Sequence, residues 1–126
     1  MRAVDASLLV GVLAGGPGAL AAEAFIRREG PVWISHLVLT EAVRVLESVY
    51  GRSRTQLGEA LARVLDNRDL VLEDPAVPRA ALAGYGAGLD FEDAMALETA
   101  RKAGHLPMAT LRPELRGVPD TVFPGA

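Results

Sequence analysis

The sequence predicts an α/β domain with a mostly parallel sheet covered on both faces by helices, and three observations carry that prediction. Short β-prone runs alternate with longer amphipathic runs, which is the order that builds parallel strands joined by helices. The long runs tend to open on Ser, Asp or Pro and close on Gly. Half of the 126 residues are hydrophobic, enough for one real core, so residues 1–126 are read as a single domain.

Taken in order, "RAV" is a short strand ending at Asp5, and Ser7 is placed as the cap of a short helix from Leu8 to Ala14, before the "GGPG" break. A second helix runs from Gly18 to Glu29, where Gly30 and Pro31 stop it before the β-prone "VWIS". Ser35 caps the next helix, from His36 to about Tyr50, and Gly51 ends it. In "SRTQLGEALARVLDN" the residues Leu57, Leu61, Val64 and Leu65 recur at i, i+4, i+7 and i+8, one face of an amphipathic helix. "LVL" at 70–72 reads as a strand. Pro75 opens a helix carrying Val77, Ala81 and Leu82 that ends in "GYGAG", and Asp90 caps another from Phe91 to Ala103, stopped by Gly104. "LPMATL" and "DTVF" close the chain as strands. There are no repeats, linkers or low-complexity tracts.

Composition removes several function classes. With no cysteine there is no disulfide, thiolate zinc site or cysteine nucleophile, which fits a reducing compartment. The stretch "LLVGVLAGGPGALAA" is broken by Gly15, Gly16, Pro17 and Gly18, so it makes a poor membrane span and a poor signal peptide, and a soluble cytoplasmic protein is expected. The net charge of −3 argues mildly against a large nucleic-acid surface, although a small one remains open. Nearly all the cations are arginine, whose planar fork suits bidentate phosphate contacts; a codon or growth-temperature bias explains the same count.

Ligands of such sheets bind beyond the carboxyl ends of the strands, where Asp5 falls. At about 100° per residue the helix from His36 gathers Val38, Leu39, Ala42, Val43, Val45, Leu46 and Val49 on one face, with Thr40, Arg44, Glu47 and Ser48 opposite. Glu41 lies at the boundary, and periodicity alone favours a solvated glutamate paired with Arg44. On the helix from Phe91, Asp93 shares its face with Ala96, Leu97, Ala100 and Ala103. An acid in a first turn is favoured by the helix dipole, which accounts for its position along the axis but not for its side. A carboxylate on an apolar face needs a partner, and with no basic residue on that face a cation from outside the chain is expected. Asp5, Glu41 and Asp93 would together suit Mg²⁺ or Mn²⁺, and their mutual repulsion without metal should raise their pKa values.

At this point the residues resemble the PIN domains, and within them the VapC-type toxins of toxin–antitoxin pairs. "VDASLLV" is similar to the family's opening strand with its first acid, "LTEAVRVLESVYG" to the helix with the second, and "LDFEDAMALETARKAG" to the third acidic segment. The resemblance implies a three-layer α/β/α sandwich, an acidic cluster holding Mg²⁺ or Mn²⁺, and hydrolysis of single-stranded RNA regions by a homodimer restrained by a cognate antitoxin. By position it assigns Asp5, Glu41 and Asp93 as catalytic metal-binding acids and Asp90 as a further one, with Ser7 a small polar residue beside the metal and the substrate.

One position departs from the pattern. Where the family usually carries Thr-x-Asp after the fourth strand, this chain has "TLRP", so Arg112 stands in place of the fourth acid. A cation there weakens metal binding by Coulomb repulsion. Either Arg112 sits at the rim and grips an RNA phosphate in an active nuclease, or it folds onto Asp5 or Asp93 in a PIN-like module that keeps RNA or protein binding without turnover. An aspartate-based phosphotransfer domain is disfavoured, because the lone lysine, Lys102, is placed mid-helix, away from the last strand. His36 and His105 are read as helix-end residues and not as ligands. The apolar faces of "LGEALARVL" and "AAEAFI" are candidates for the dimer contact, although each reads first as ordinary core.

Overall fold

The computed structural model describes residues 1–125. Strands β1 (Arg2–Ala3), β2 (Val32–Ile34) and β3 (Leu70–Leu72) form a parallel sheet in the order β1-β2-β3, with Val32 opposite both Arg2 and Leu70. Parallel neighbours need crossovers, and helices α1 (Ala6–Ala14) with α2 (Ala19–Glu29), then α3 (His36–Ser48) with α4 (Arg54–Asp66), supply them. Helices α5 (Ala76–Gly86) and α6 (Phe91–Ala103) follow β3 and pack on each other. The chain closes with β4 (Met108–Ala109), a 3₁₀ turn at Pro113–Leu115, and β5 (Thr121–Val122). The expected mostly parallel sheet is therefore present in two pieces, since β4 pairs in parallel with β5 as a separate ribbon.

The anticipated caps at Ser35 and Asp90 are present. Ser35 Oγ accepts the Val38 N–H at 3.1 Å, and Ser53 and Gln56 form a reciprocal capping box at the start of α4. The first helix differs: it begins at Ala6, and Asp5 rather than Ser7 caps it by accepting the Leu8 N–H at 3.1 Å. The carboxylate is the better acceptor for a backbone N–H, and Ser7 donates to that same carboxylate instead. At the end of α2 the backbone turns so sharply that a Cβ on Gly30 would lie 2.4 Å from the Ile26 carbonyl oxygen, which is why glycine precedes Pro31.

The core is one cluster. Val32, Ile34, Leu70 and Leu72 project from one side of the pleat and are buried with Leu9, Leu39, Ala42, Leu46, Ala81 and Tyr85. The other side of the pleat carries Ala3, Trp33 and Val71, of which Trp33 is 36% exposed, so cover over the two faces is unequal. Leu57, Leu61 and Val64 of α4, and Ala22 and Ile26 of α2, belong to the buried set. The two faces singled out for a dimer contact are thus core of this chain. Among the described residues no single helix is long and apolar enough to cross a membrane.

Candidate active site

Val4 donates its N–H to the Trp33 carbonyl at 3.1 Å, which puts Asp5 just past the carboxyl end of β1. Its carboxylate is occupied from the chain itself: one oxygen accepts both the Ser7 hydroxyl at 2.6 Å and the Leu8 N–H at 3.1 Å. These two hydrogen bonds, the Ser7 one foremost, hold the Asp5 pKa below the ordinary carboxylate value. The expected upward shift from neighbouring acids is therefore absent at Asp5. Ser7, anticipated as a residue beside metal and substrate, serves Asp5.

Glu41 lies on the exposed side of α3, in a groove of about 380 Å³ between α3 and α6 lined also by Thr40, Arg44, Glu92, Met95 and Thr99. Its anticipated partner Arg44 turns elsewhere and binds Glu92 across the groove at 2.7 Å. Both side chains of that pair are well exposed, so the bridge sets the groove's shape more than its stability. No sequence signal points to this contact, because its partners are 48 positions apart on different helices. The same holds for Glu73, which accepts the His36 N–H at 3.0 Å beside the carboxyl ends of β2 and β3.

Asp93 stands in the first turn of α6, whose N-cap Asp90 accepts the Glu92 N–H at 2.8 Å. Asp90 thus acts as a cap, and a metal role for it has no support in this contact. The buried face of α6 is Phe91, Ala94, Met95 and Leu97, while Ala96 is exposed; the wheel drawn from sequence was rotated, and Asp93 flanks the buried stripe. Its side chain is still only 13% exposed, and it has a partner: Arg112 Nε donates to its Oδ2 at 2.8 Å. A positive charge from within the chain, the Arg112 guanidinium, therefore lies beside this carboxylate, although the sequence showed no basic residue on the same helix face. Burial pushes the Asp93 pKa up, Arg112 opposes that, and the charges of Asp90 and Glu92 add to the rise.

The segment that delivers Arg112 is locally fixed. The Arg112 N–H donates to Thr110 Oγ1 at 3.0 Å, and Pro113 holds the residue before it in extended backbone, at φ −80° and ψ 119°. Lys102, placed mid-helix by the sequence, lies in the last turn of α6 and pairs with Asp74.

In comparison with protein families, residues 2–106 match the PIN domain. The chain belongs to the PIN domain family. The matched stretch contains Asp5, Glu41, Asp90 and Asp93 and ends before Thr110 and Arg112. Comparisons with curated proteins and with solved structures return no match. PIN domains are in general nucleases that act on RNA and use divalent metals.

The donor set of this PIN domain does not fit such a metal as it stands. Among the described residues no three His, Asp or Glu side chains meet in a group able to hold an ion. Asp93 is held by a guanidinium, Asp5 by Ser7 and the start of α1, and Glu41 faces the α3–α6 groove. Asp5 at the end of β1, Glu41 on α3 and Asp93 on α6 therefore do not form one metal-sized pocket. What the site offers chemically is carboxylates on three elements, with Arg44 in the groove that holds Glu41 and Arg112 on Asp93.

Proposed function

We propose that this PIN domain is an endoribonuclease of the VapC toxin type, cleaving single-stranded regions of RNA in the cytoplasm as a homodimer under the restraint of a cognate antitoxin. The observation that carries the reading is the PIN family match over residues 2–106, a stretch that includes Asp5, Glu41 and Asp93. Cleavage forms a bond from a water oxygen to phosphorus and breaks the bond to a sugar oxygen, and negative charge builds on the non-bridging oxygens. Arg112 suits that charge: its side chain is 55% exposed and it reaches Asp93 through Nε, which leaves its two Nη groups for a phosphate. Arg44, at the mouth of the α3–α6 groove, is a second candidate for a flanking phosphate. Asp5, Glu41 and Asp93 are the carboxylates on which hydrolysis depends in this reading, and Mg²⁺ or Mn²⁺ is the cofactor its family uses.

A second reading is favoured by one specific contact. With Arg112 folded onto Asp93, the chain is a PIN module that keeps RNA or protein binding without turnover. Cleavage of a single-stranded RNA in Mn²⁺ by wild type, Asp93→Asn and Arg112→Asp separates the two. The ribonuclease reading expects wild-type cleavage that falls by about 100-fold in Asp93→Asn, the scale of losing one preorganised electrostatic group. Cleavage appearing only in Arg112→Asp selects the second reading, and cleavage by none of the three defeats both.

A further inference from the structure

Four of the acids near the site are already answered by the chain; Glu41, which faces the α3–α6 groove, is not one of them. Glu92 is paired with Arg44, Asp93 with Arg112, Asp90 with the first turn of α6, and Asp5 with Ser7 and the first turn of α1. The Arg112 contact differs from an ordinary surface pair in two respects. Its acceptor is 13% exposed, so the carboxylate has lost most of its water and needs a fixed counter-charge. The backbone that carries its donor is fixed by the Thr110 hydrogen bond and by Pro113. A divalent ion reaching Asp93 would have to displace a guanidinium already at 2.8 Å and then sit beside that same positive charge.

We propose that Arg112 is the resident counter-ion of Asp93 in this chain, occupying the place that a divalent cation takes in its family, so that the isolated protein holds no tightly bound divalent ion. The assignment of Asp93 to the site rests on the PIN reading; the proposal is independent of whether RNA is cleaved.

Mn²⁺ binding to the full chain, without RNA, tests it. The electron paramagnetic resonance signal of free Mn²⁺ reads binding directly. With wild-type protein in excess the signal is expected to stay that of the free ion up to about 1 mM Mn²⁺, and thermal unfolding to be unmoved by the ion. In Arg112→Gln the lost positive charge leaves Asp93 uncompensated, and Mn²⁺ is expected to bind at least about tenfold more tightly and to raise the unfolding temperature. The gain should vanish in the double variant with Asp93→Asn. One Mn²⁺ bound per wild-type chain at micromolar affinity would overturn the proposal, and that arm needs no variant to fold. Equal affinity in wild type and Arg112→Gln, with both binding, would overturn it as well. Because the samples contain no RNA, failure of the ribonuclease reading produces none of these results.

Discussion

Ser7 and Arg112 do opposite things to the two carboxylates they touch. The Ser7 hydroxyl adds to the helix-capping N–H at Asp5, stabilises the charged form and lowers its pKa, with little burial to oppose it. At Asp93 burial outweighs Arg112, and the pKa ends above the ordinary value. The consequences for stability have opposite signs. The contribution of Asp5 is present above the ordinary carboxylate range and is lost as pH falls through its lowered folded value. The raised pKa of Asp93 favours the fold at low pH, and that advantage is lost as pH rises through the folded value. Replacing Ser7 by Ala is expected to move the Asp5 pKa up towards 3.8, as read by carbon-detected NMR titration of the carboxyl group. An unmoved titration would mean that the hydroxyl does not hold this carboxylate. Both residues could be named from the sequence, but their roles could not. Asp and Ser two positions apart are both good N-caps, and only the start of α1 decides which of them takes the backbone N–H.

Helices α3, α4, α5 and α6 are joined around one aromatic side chain. Tyr85 of α5 is 1% exposed and donates its hydroxyl to Glu47 of α3 at 2.8 Å. Its ring meets Phe91 of α6 edge-on at 5.6 Å, and the Arg54 guanidinium of α4 lies 4.4 Å above it. Burial and the Glu47 carboxylate both push the Tyr85 pKa up, so the hydroxyl remains a donor throughout the physiological range. Tyr85→Phe keeps the ring and removes the donor, and urea unfolding should show a loss of about 1 kcal/mol. No loss would mean that Glu47 is equally well served by water. The starts of α3 and α6 were legible because Ser35 and Asp90 carry their signals within a few residues of where they act. The facing of α6 was not, because its alanines and charged residues are mixed around the helix and give a weak periodic signal, and packing against α5 and α3 rather than pattern selected Ala94 and Met95 for burial.

At the scale of the whole molecule, the parallel order of β1, β2 and β3 follows from alternating strands and helices, and the order of the acids along the chain is preserved on the end of β1, on α3 and on α6. Their partners are tertiary facts. Arg112 and Asp93 are 19 positions apart and meet because the segment after β4 returns to the start of α6. The resemblance to the PIN family implies an acid at position 112, where this chain has Arg112, and leaves two places for its charge, the rim or the acid. The fold places it on the acid. The faces of α2 and α4 became core for a related reason: α4 packs on α3, α5 and β3, and α2 on α1, so an apolar stripe that reads as available is already covered within one chain. If Asp93 is partnered by Arg112 rather than by a metal, crystals of the protein grown with Mn²⁺ should give an anomalous difference map without a manganese peak at Asp5, Glu41 or Asp93, and with Arg112 Nε still hydrogen-bonded to Asp93. A manganese peak about 2 to 2.6 Å from the Asp93 and Asp5 carboxylates, with Arg112 turned away, would contradict it.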